Sequence, residues 1–175
     1  MTIENPRQLF ELLLGEARQR AEHLKPALQE LSQTVDDVDI RESLEARIFV
    51  ADKILDTLEQ CLKLTGARAV TLTESFHDVF IEECRKTLAQ IGSPIGRRLF
   101  ILAKANQLIH LRIAEYTVVI ECCEMTGYRG VRVLLETCRA DDISFIRMIK
   151  RLMRNIVEGN GAASSAAQMH SERLN

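Results

Sequence analysis

Apolar residues in this chain recur at alternating steps of three and four over stretches of about thirty residues, a spacing that strands cannot use and that long, lengthwise-packed helices require. Phe10, Leu14, Ala17, Ala21, Leu24, Leu28 and Leu31 form the first such seam. Asn5 and Pro6 precede it as a cap and a first-turn proline. Pro26 lies inside the run, and because the seam stays in phase across it, the spacing predicts a helix that kinks there rather than ends. A second helix is expected to open at a capping box, Asp39-Ile40-Arg41-Glu42, and to carry Leu44, Ile48, Ala51, Leu55, Leu58 and Leu62 as far as Gly66.

A shorter helix is predicted over 73–91, with Phe76, Val79, Phe80 and Leu88 apolar. Gly92-Ser93-Pro94 breaks it and caps a third long helix, which carries Leu102, Ile109, Ile113, Tyr116, Ile120 and Cys123 to a stop at Gly127. The fourth runs from Tyr128 to Glu158 on Leu135, Cys138, Phe145, Ile149, Leu152 and Ile156. Two antiparallel hairpins of long helices, joined by a crossover that holds a short helix, make an all-α, ferritin-like four-helix bundle. Residues 1–158 are assigned to that domain. Gly159-Asn160-Gly161 closes the last helix, and the Ala/Ser-rich segment 159–175 has no core pattern and is expected to be a disordered tail.

The 175 residues suit one domain with a substantial core. No stretch reaches the roughly 18–20 apolar residues of a membrane span, and the first residues lack the basic and apolar regions of a signal peptide. A cytoplasmic protein is expected. Five cysteines without a CxxC pair fit buried, reduced thiols. The net charge of −2 gives no general basic excess that would suit nucleic acid. Charge is nevertheless uneven: acids outnumber bases from Glu30 to Glu59, whereas Arg129 to Arg154 holds seven Arg or Lys against Glu136, Asp141 and Asp142. Arg147, Lys150, Arg151 and Arg154 recur at i, i+3, i+4 and i+7 on one face of the fourth helix. No aromatic residues interleave with them to stack bases, so the stripe is read as a solvated face or one that meets an acidic protein partner.

A carboxylate di-metal bundle needs an acid from each of two helices and a Glu-x-x-His pair from each of the other two. The only such pair, Glu74 and His77, falls at the start of the short crossover helix and off the bundle seams, and is read as a capping Glu and an exposed His. His23 and His110 are read as ordinary core-edge or surface histidines. There is no HExxH, Walker loop or strand-borne glycine motif.

Several segments, taken in order, resemble the YciF/YciE-like family of ferritin-like proteins from Leu9 to Leu152. They are Leu9-Phe10 with Ala21-Glu22, Leu58-Glu59-Gln60 running to Gly66, and Ile81-Glu82-Glu83. The series continues with His110-Leu111-Arg112-Ile113-Ala114-Glu115-Tyr116, which is similar to the family's H-Y-E-I-A-A-Y, and then with Gly127-Tyr128-Arg129 and Leu134-Leu135. The resemblance implies a homodimer, an association with stress responses and a di-iron or di-manganese centre. This sequence departs from the family at the ligands. The second-helix H-L-E-E-T is matched by Arg47, Ile48, Phe49, Val50 and Ala51; third-helix acids give way to Ile109 and Arg112; the fourth-helix E-E-E run is Ala140-Asp141-Asp142. Glu22, His110, Asp141 and Asp142 are the only candidate ligands left, too few for a hard or borderline cation.

The expectation is therefore a non-catalytic bundle acting through protein–protein contacts or self-association, with a degenerate di-metal site. The alternative is a divergent oxidoreductase or storage protein holding iron or manganese on a reduced ligand set. The vacated layer is placed at Glu22, Val50, Ile109, Arg112, Asp141 and Asp142, since Arg112 and Asp142 each lie fifteen positions from Gly127. At about 1.5 Å per residue both reach the same level of the bundle. Asp142 continues the seam between Cys138 and Phe145 and needs a partner, so an ion pair of Arg112 with Asp142 or Asp141 is predicted, with Glu22 close by.

Overall fold

The computed structural model describes the backbone of residues 3–70 and 76–172, and the side chains of residues 3–70 and 77–160. Five helices follow in chain order: α1 (Pro6–Gln33), α2 (Val38–Thr65), α3 (Phe76–Gln90), α4 (Pro94–Thr126) and α5 (Arg129–Glu172). Their ends are written in the sequence. The Asn5 side chain accepts the Gln8 N–H, and Ser93 accepts that of Gly96, each ahead of a proline that suits the first helical turn. Gly66 and Gly127 end α2 and α4 with φ of 73° and 77°, a left-handed conformation that costs glycine nothing.

Two boundaries differ from expectation. The α2 helix opens one turn-half earlier than the Asp39 capping box, because Asp37 accepts the Ile40 N–H at 3.2 Å and leaves Asp39 in the first turn, where an acid suits the helix dipole. The α5 helix does not stop at Gly159 but continues to Glu172. A glycine inside a helix costs only about 1 kcal/mol relative to alanine, and the alanines that follow are the best helix formers. The last side chain packed on the core among those described is Ile156. The Thr73 start expected for the crossover helix and Glu74 lie outside the described residues.

Helices α1 and α2 form one hairpin and α4 and α5 the other; α1 lies beside α4 and α2 beside α5. The core consists of two apolar clusters stacked along the bundle. One holds Leu24, Leu28 and Leu31 of α1 with Ile40, Leu44, Ile101, Leu102, Ile109 and Ile149; the other holds Phe10 and Leu14 with Leu58, Tyr116, Ile120 and Leu135. The start of α1 thus shares a cluster with the ends of α2 and α4, so α1 and α5 run one way and α2 and α4 the other. Getting from the end of α2 to the start of α4 requires the chain to travel the length of the bundle, and α3 lies on that route against α1 and α4. This up-down-down-up order with one long crossover is the ferritin-like connection. The crossover passes so close to α1 at Gly15 that a Cβ there would sit 2.6 Å from Val70 Cγ2 and 2.8 Å from the Arg68 carbonyl oxygen.

All seven residues of the α1 seam are buried. On α2 the buried line is Ile40, Leu44, Arg47, Ala51, Ile54, Leu58, Cys61 and Thr65, an unbroken four-three alternation. Ile48 and Leu55, expected on that seam, flank it half-buried. Ile113 likewise flanks the α4 seam, on which Arg112 sits.

Candidate functional site

The two apolar clusters do not meet directly across every helix. Between them α2 contributes Arg47, α4 contributes Arg112, and α5 contributes Asp142, each at a position the four-three spacing aims inward. Arg47 and Arg112 are 3% exposed and Asp142 is fully buried. Burying three charges is costly, and the geometry offsets the cost with charge-assisted hydrogen bonds. Arg112 Nε donates to Asp142 Oδ2 at 3.2 Å, and Arg47 Nη2 donates to Asp142 Oδ1, so each carboxylate oxygen takes one arginine. Arg112 Nη2 also donates to the Tyr116 hydroxyl one turn along α4, with the guanidinium carbon 5.1 Å from that ring's centre. The Arg47 guanidinium carbon lies 5.9 Å from the centre of the Phe145 ring.

The two arginines differ electrostatically. Burial lowers the pKa of Arg47, and the neighbouring Arg112 adds to that, while Asp142 only partly opposes them. Burial also works against the charge on Arg112, but Tyr116, Asp142 and Glu115 together outweigh it and raise its pKa. Asp142 is thus shared, with Arg112 the better compensated partner. Burial pushes the Tyr116 phenol and the Cys138 thiol upward, Cys138 to about 11, so both stay protonated near neutral pH.

The expected Arg112–Asp142 pair is therefore present, but the layer is built differently from the expected set. Glu22 is not close by: it is exposed and pairs with Arg18 on its own helix. The seam residue at that level is Ala21, and a neighbouring residue on a helix points about 100° away. Asp141 is half-buried beside the layer, Val50 is half-buried against the Phe10 cluster, and Ile109 is fully buried in the Leu24 cluster. His110 is exposed, its Nδ1 2.9 Å from the Asn106 carbonyl oxygen. Arg147, Lys150, Arg151 and Arg154 are all exposed on α5. In the sequence Arg47 stands out only as a replaced ligand position. The signal that points inward is the alternation Leu44, Arg47, Ala51, Ile54, which continues through it; the competing apolar register through Ile48 lies one residue away.

His77, at the start of α3, is buried rather than exposed as expected, because its ring stacks on that of His23 of α1 with centroids 6.1 Å apart. Burial, then His23 and Arg112, lower its pKa to about 4, which makes it neutral at pH 7.

A ferritin-like fold raises the question of a di-metal centre, and the donor set answers it. Among the described residues no group of three or more His, Cys, Asp or Glu side chains is arranged to hold a metal ion. The layer presents two guanidinium groups, which carry only donors and cannot ligate a cation. The described residues of this layer do not fit a di-metal centre.

The family model described as Domain of unknown function (DUF892) matches residues 5–162. No curated protein matches the sequence. Among solved structures, the chain is similar to the Escherichia coli stress protein YciF, with a TM-score of 0.82 at 18% identity over 89% of this chain and 99% of that one. YcfI of Rhodopseudomonas palustris is similar at a TM-score of 0.78 and 20% identity, over 85% of this chain and 94% of that one. A ferritin-like, diiron-carboxylate protein from Bacillus anthracis is similar at 0.66 and 16%, over 86% of this chain and 99% of that one. With a family match over nearly its whole length, the chain belongs to the DUF892 family, and its fold is the ferritin-like bundle that YciF shares.

Proposed function

We propose that this protein is a non-catalytic, ferritin-like structural bundle that acts through its surface, by protein–protein contact or self-association, in a stress-related setting. The observation that carries the reading is the Arg47–Asp142–Arg112 network, which fills with fixed positive charge the layer where a carboxylate bundle would bind metal cations. Its similarity to a stress protein supports the setting. The layer's carboxylate, Asp142, is taken by both arginines, and among the described residues no cluster of acids or histidines stands ready for iron, which supports a non-catalytic role.

The surface supports contact as the mode of action. Helix α2 exposes Asp39, Glu42 and Glu45, with Phe49 standing 80% exposed among acids of the same face. Exposed aromatic residues serve as contact anchors. Helix α5, its neighbour, exposes Arg147, Lys150, Arg151 and Arg154. A two-fold axis running between these helices would set each copy's basic stripe on its partner's acids. Light scattering across a salt series tests this: a dimer at low ionic strength that dissociates toward 1 M salt, where the Debye length falls to roughly 3 Å, is expected. A monomer at every salt concentration rejects self-association by this face. Stopped-flow oxidation of added ferrous ion no faster than in buffer is expected, and catalytic turnover rejects the non-catalytic reading.

A further inference from the structure

Among the described residues the buried layer carries more positive charge than negative. Arg47 and Arg112 share one carboxylate, and arginine keeps its proton in proteins. Among the described residues, Glu115, which acts on Arg112, is engaged by Arg20 at 3.0 Å, and Asp141 stands half-buried at the margin of the layer rather than inside it. Tyr116 is an uncharged acceptor for Arg112, and His77 is neutral, so neither changes the balance. The sum over Arg47, Arg112 and Asp142 is one net positive charge.

The excess is local to Arg47. Its Nη2 reaches Asp142, but its Nε and Nη1 are buried and meet no hydrogen-bond acceptor among the described residues. An uncompensated buried cation with donors left unsatisfied is an arrangement folded proteins avoid.

We propose that the layer is an internal anion site, taking one small monovalent anion with the chemistry of chloride on the unsatisfied N–H donors of Arg47. One negative charge makes the layer neutral. A phosphate-like oxyanion would overshoot that balance and is too large and too strongly hydrated for residues only 0–3% exposed. The site thus inverts the charge of the ligand that a carboxylate bundle takes at this level. The inference rests on the reading of this layer as a cationic replacement for a metal centre.

The test uses the full chain. Thermal unfolding is followed in sodium chloride and in sodium gluconate at equal ionic strength, which separates site binding from screening. With chloride at ten times its Kd, the folding equilibrium constant is expected to rise about elevenfold over the gluconate value. Crystals soaked in bromide are expected to show one anomalous peak within hydrogen-bond reach of Arg47 Nε or Nη1. Arg47→Met should abolish the chloride-specific rise, and Arg151→Met on the exposed stripe should leave it intact. Equal stability in the two salts, or a layer without bromide, overturns the proposal. If Arg47→Met does not fold, the bromide map of the parent decides alone. Metal content measured on the same sample separates the two readings: stoichiometric metal removes the premise, while a metal-free protein indifferent to halide removes only the anion.

Discussion

Replacing Asp142 is the change that most clearly separates this layer from an ordinary surface ion pair. The carboxylate receives Arg112 at 3.2 Å and also Arg47, and all three groups are shielded from water. A pair of unit charges about 4 Å apart is worth about 4 kcal/mol at an effective dielectric constant of 20. Asp142→Asn keeps the shape and removes the charge, stranding two guanidinium groups that then repel each other. Breaking one buried pair in this way costs about 3–5 kcal/mol, and this case lies at or above the top of that range. In a chain of this size that lowers Tm by roughly 6–20 °C. Arg112→Met is milder, because Arg47 still neutralises the carboxylate, and about 1–3 kcal/mol is expected from the lost hydrogen bonds. Arg47→Met removes the uncompensated charge and leaves the Arg112–Asp142 pair whole, so it should be near neutral. The assay is urea unfolding followed by circular dichroism, with the order Asp142→Asn, then Arg112→Met, then Arg47→Met. Equal costs for Asp142→Asn and Arg47→Met would refute the charge count, and a negligible effect of Asp142→Asn would refute the network.

Three further outcomes follow from the geometry. Gly15→Ala should destabilise the fold despite the roughly 1 kcal/mol helix-propensity gain, since its methyl would meet the crossover backbone at Arg68 and the Val70 side chain; urea titration reads the sign, and a stabilised variant would show that the crossover yields freely. The His77 pKa is lowered to about 4 from an ordinary value of 6.5, so the unfolded chain binds the extra proton first. Stability should be complete above pH 6.5 and fall as the pH drops toward 4, by up to about 3 kcal/mol. A His77→Leu variant should flatten that dependence, and an unchanged slope would assign it to other groups. Cys61 is fully buried with its pKa pushed by burial to about 12, and Cys123 and Cys138 stand at about 11. These three thiols should resist alkylation at pH 8 until the protein is unfolded, and rapid labelling of the folded chain counted by mass spectrometry would contradict their burial.

The fold was legible where one periodicity ruled alone. Every α1 seam residue named from spacing is buried, and the stops at Gly66 and Gly127 hold because only glycine adopts their left-handed backbone without strain. Legibility failed where two registers competed. On α2, Ile48 and Leu55 are as apolar as their neighbours and drew the seam one residue off, hiding Arg47, because an arginine reads as a surface residue until its inward position is counted out. Glu22 failed for the opposite reason: its chemistry suited the layer, but its place beside Ala21 turned it toward Arg18 and solvent. The Arg112–Asp142 pair was legible because equal distance from a hairpin turn fixes level and the four-three spacing fixes the direction of Asp142, which then needs a cation. That Asp142 has a second arginine was not, since nothing in the spacing of one hairpin specifies what the other brings to the same level.

In the proposed reading, this bundle layer has exchanged metal ligands for fixed cations. Elemental analysis of iron, manganese and zinc in the purified protein, expressed per chain, tests that exchange most directly. Far less than one metal ion per chain is predicted, unchanged by growth in iron- or manganese-supplemented medium and unaltered in Asp142→Asn. Two tightly held metal ions per chain, surviving dialysis against chelator, would contradict it.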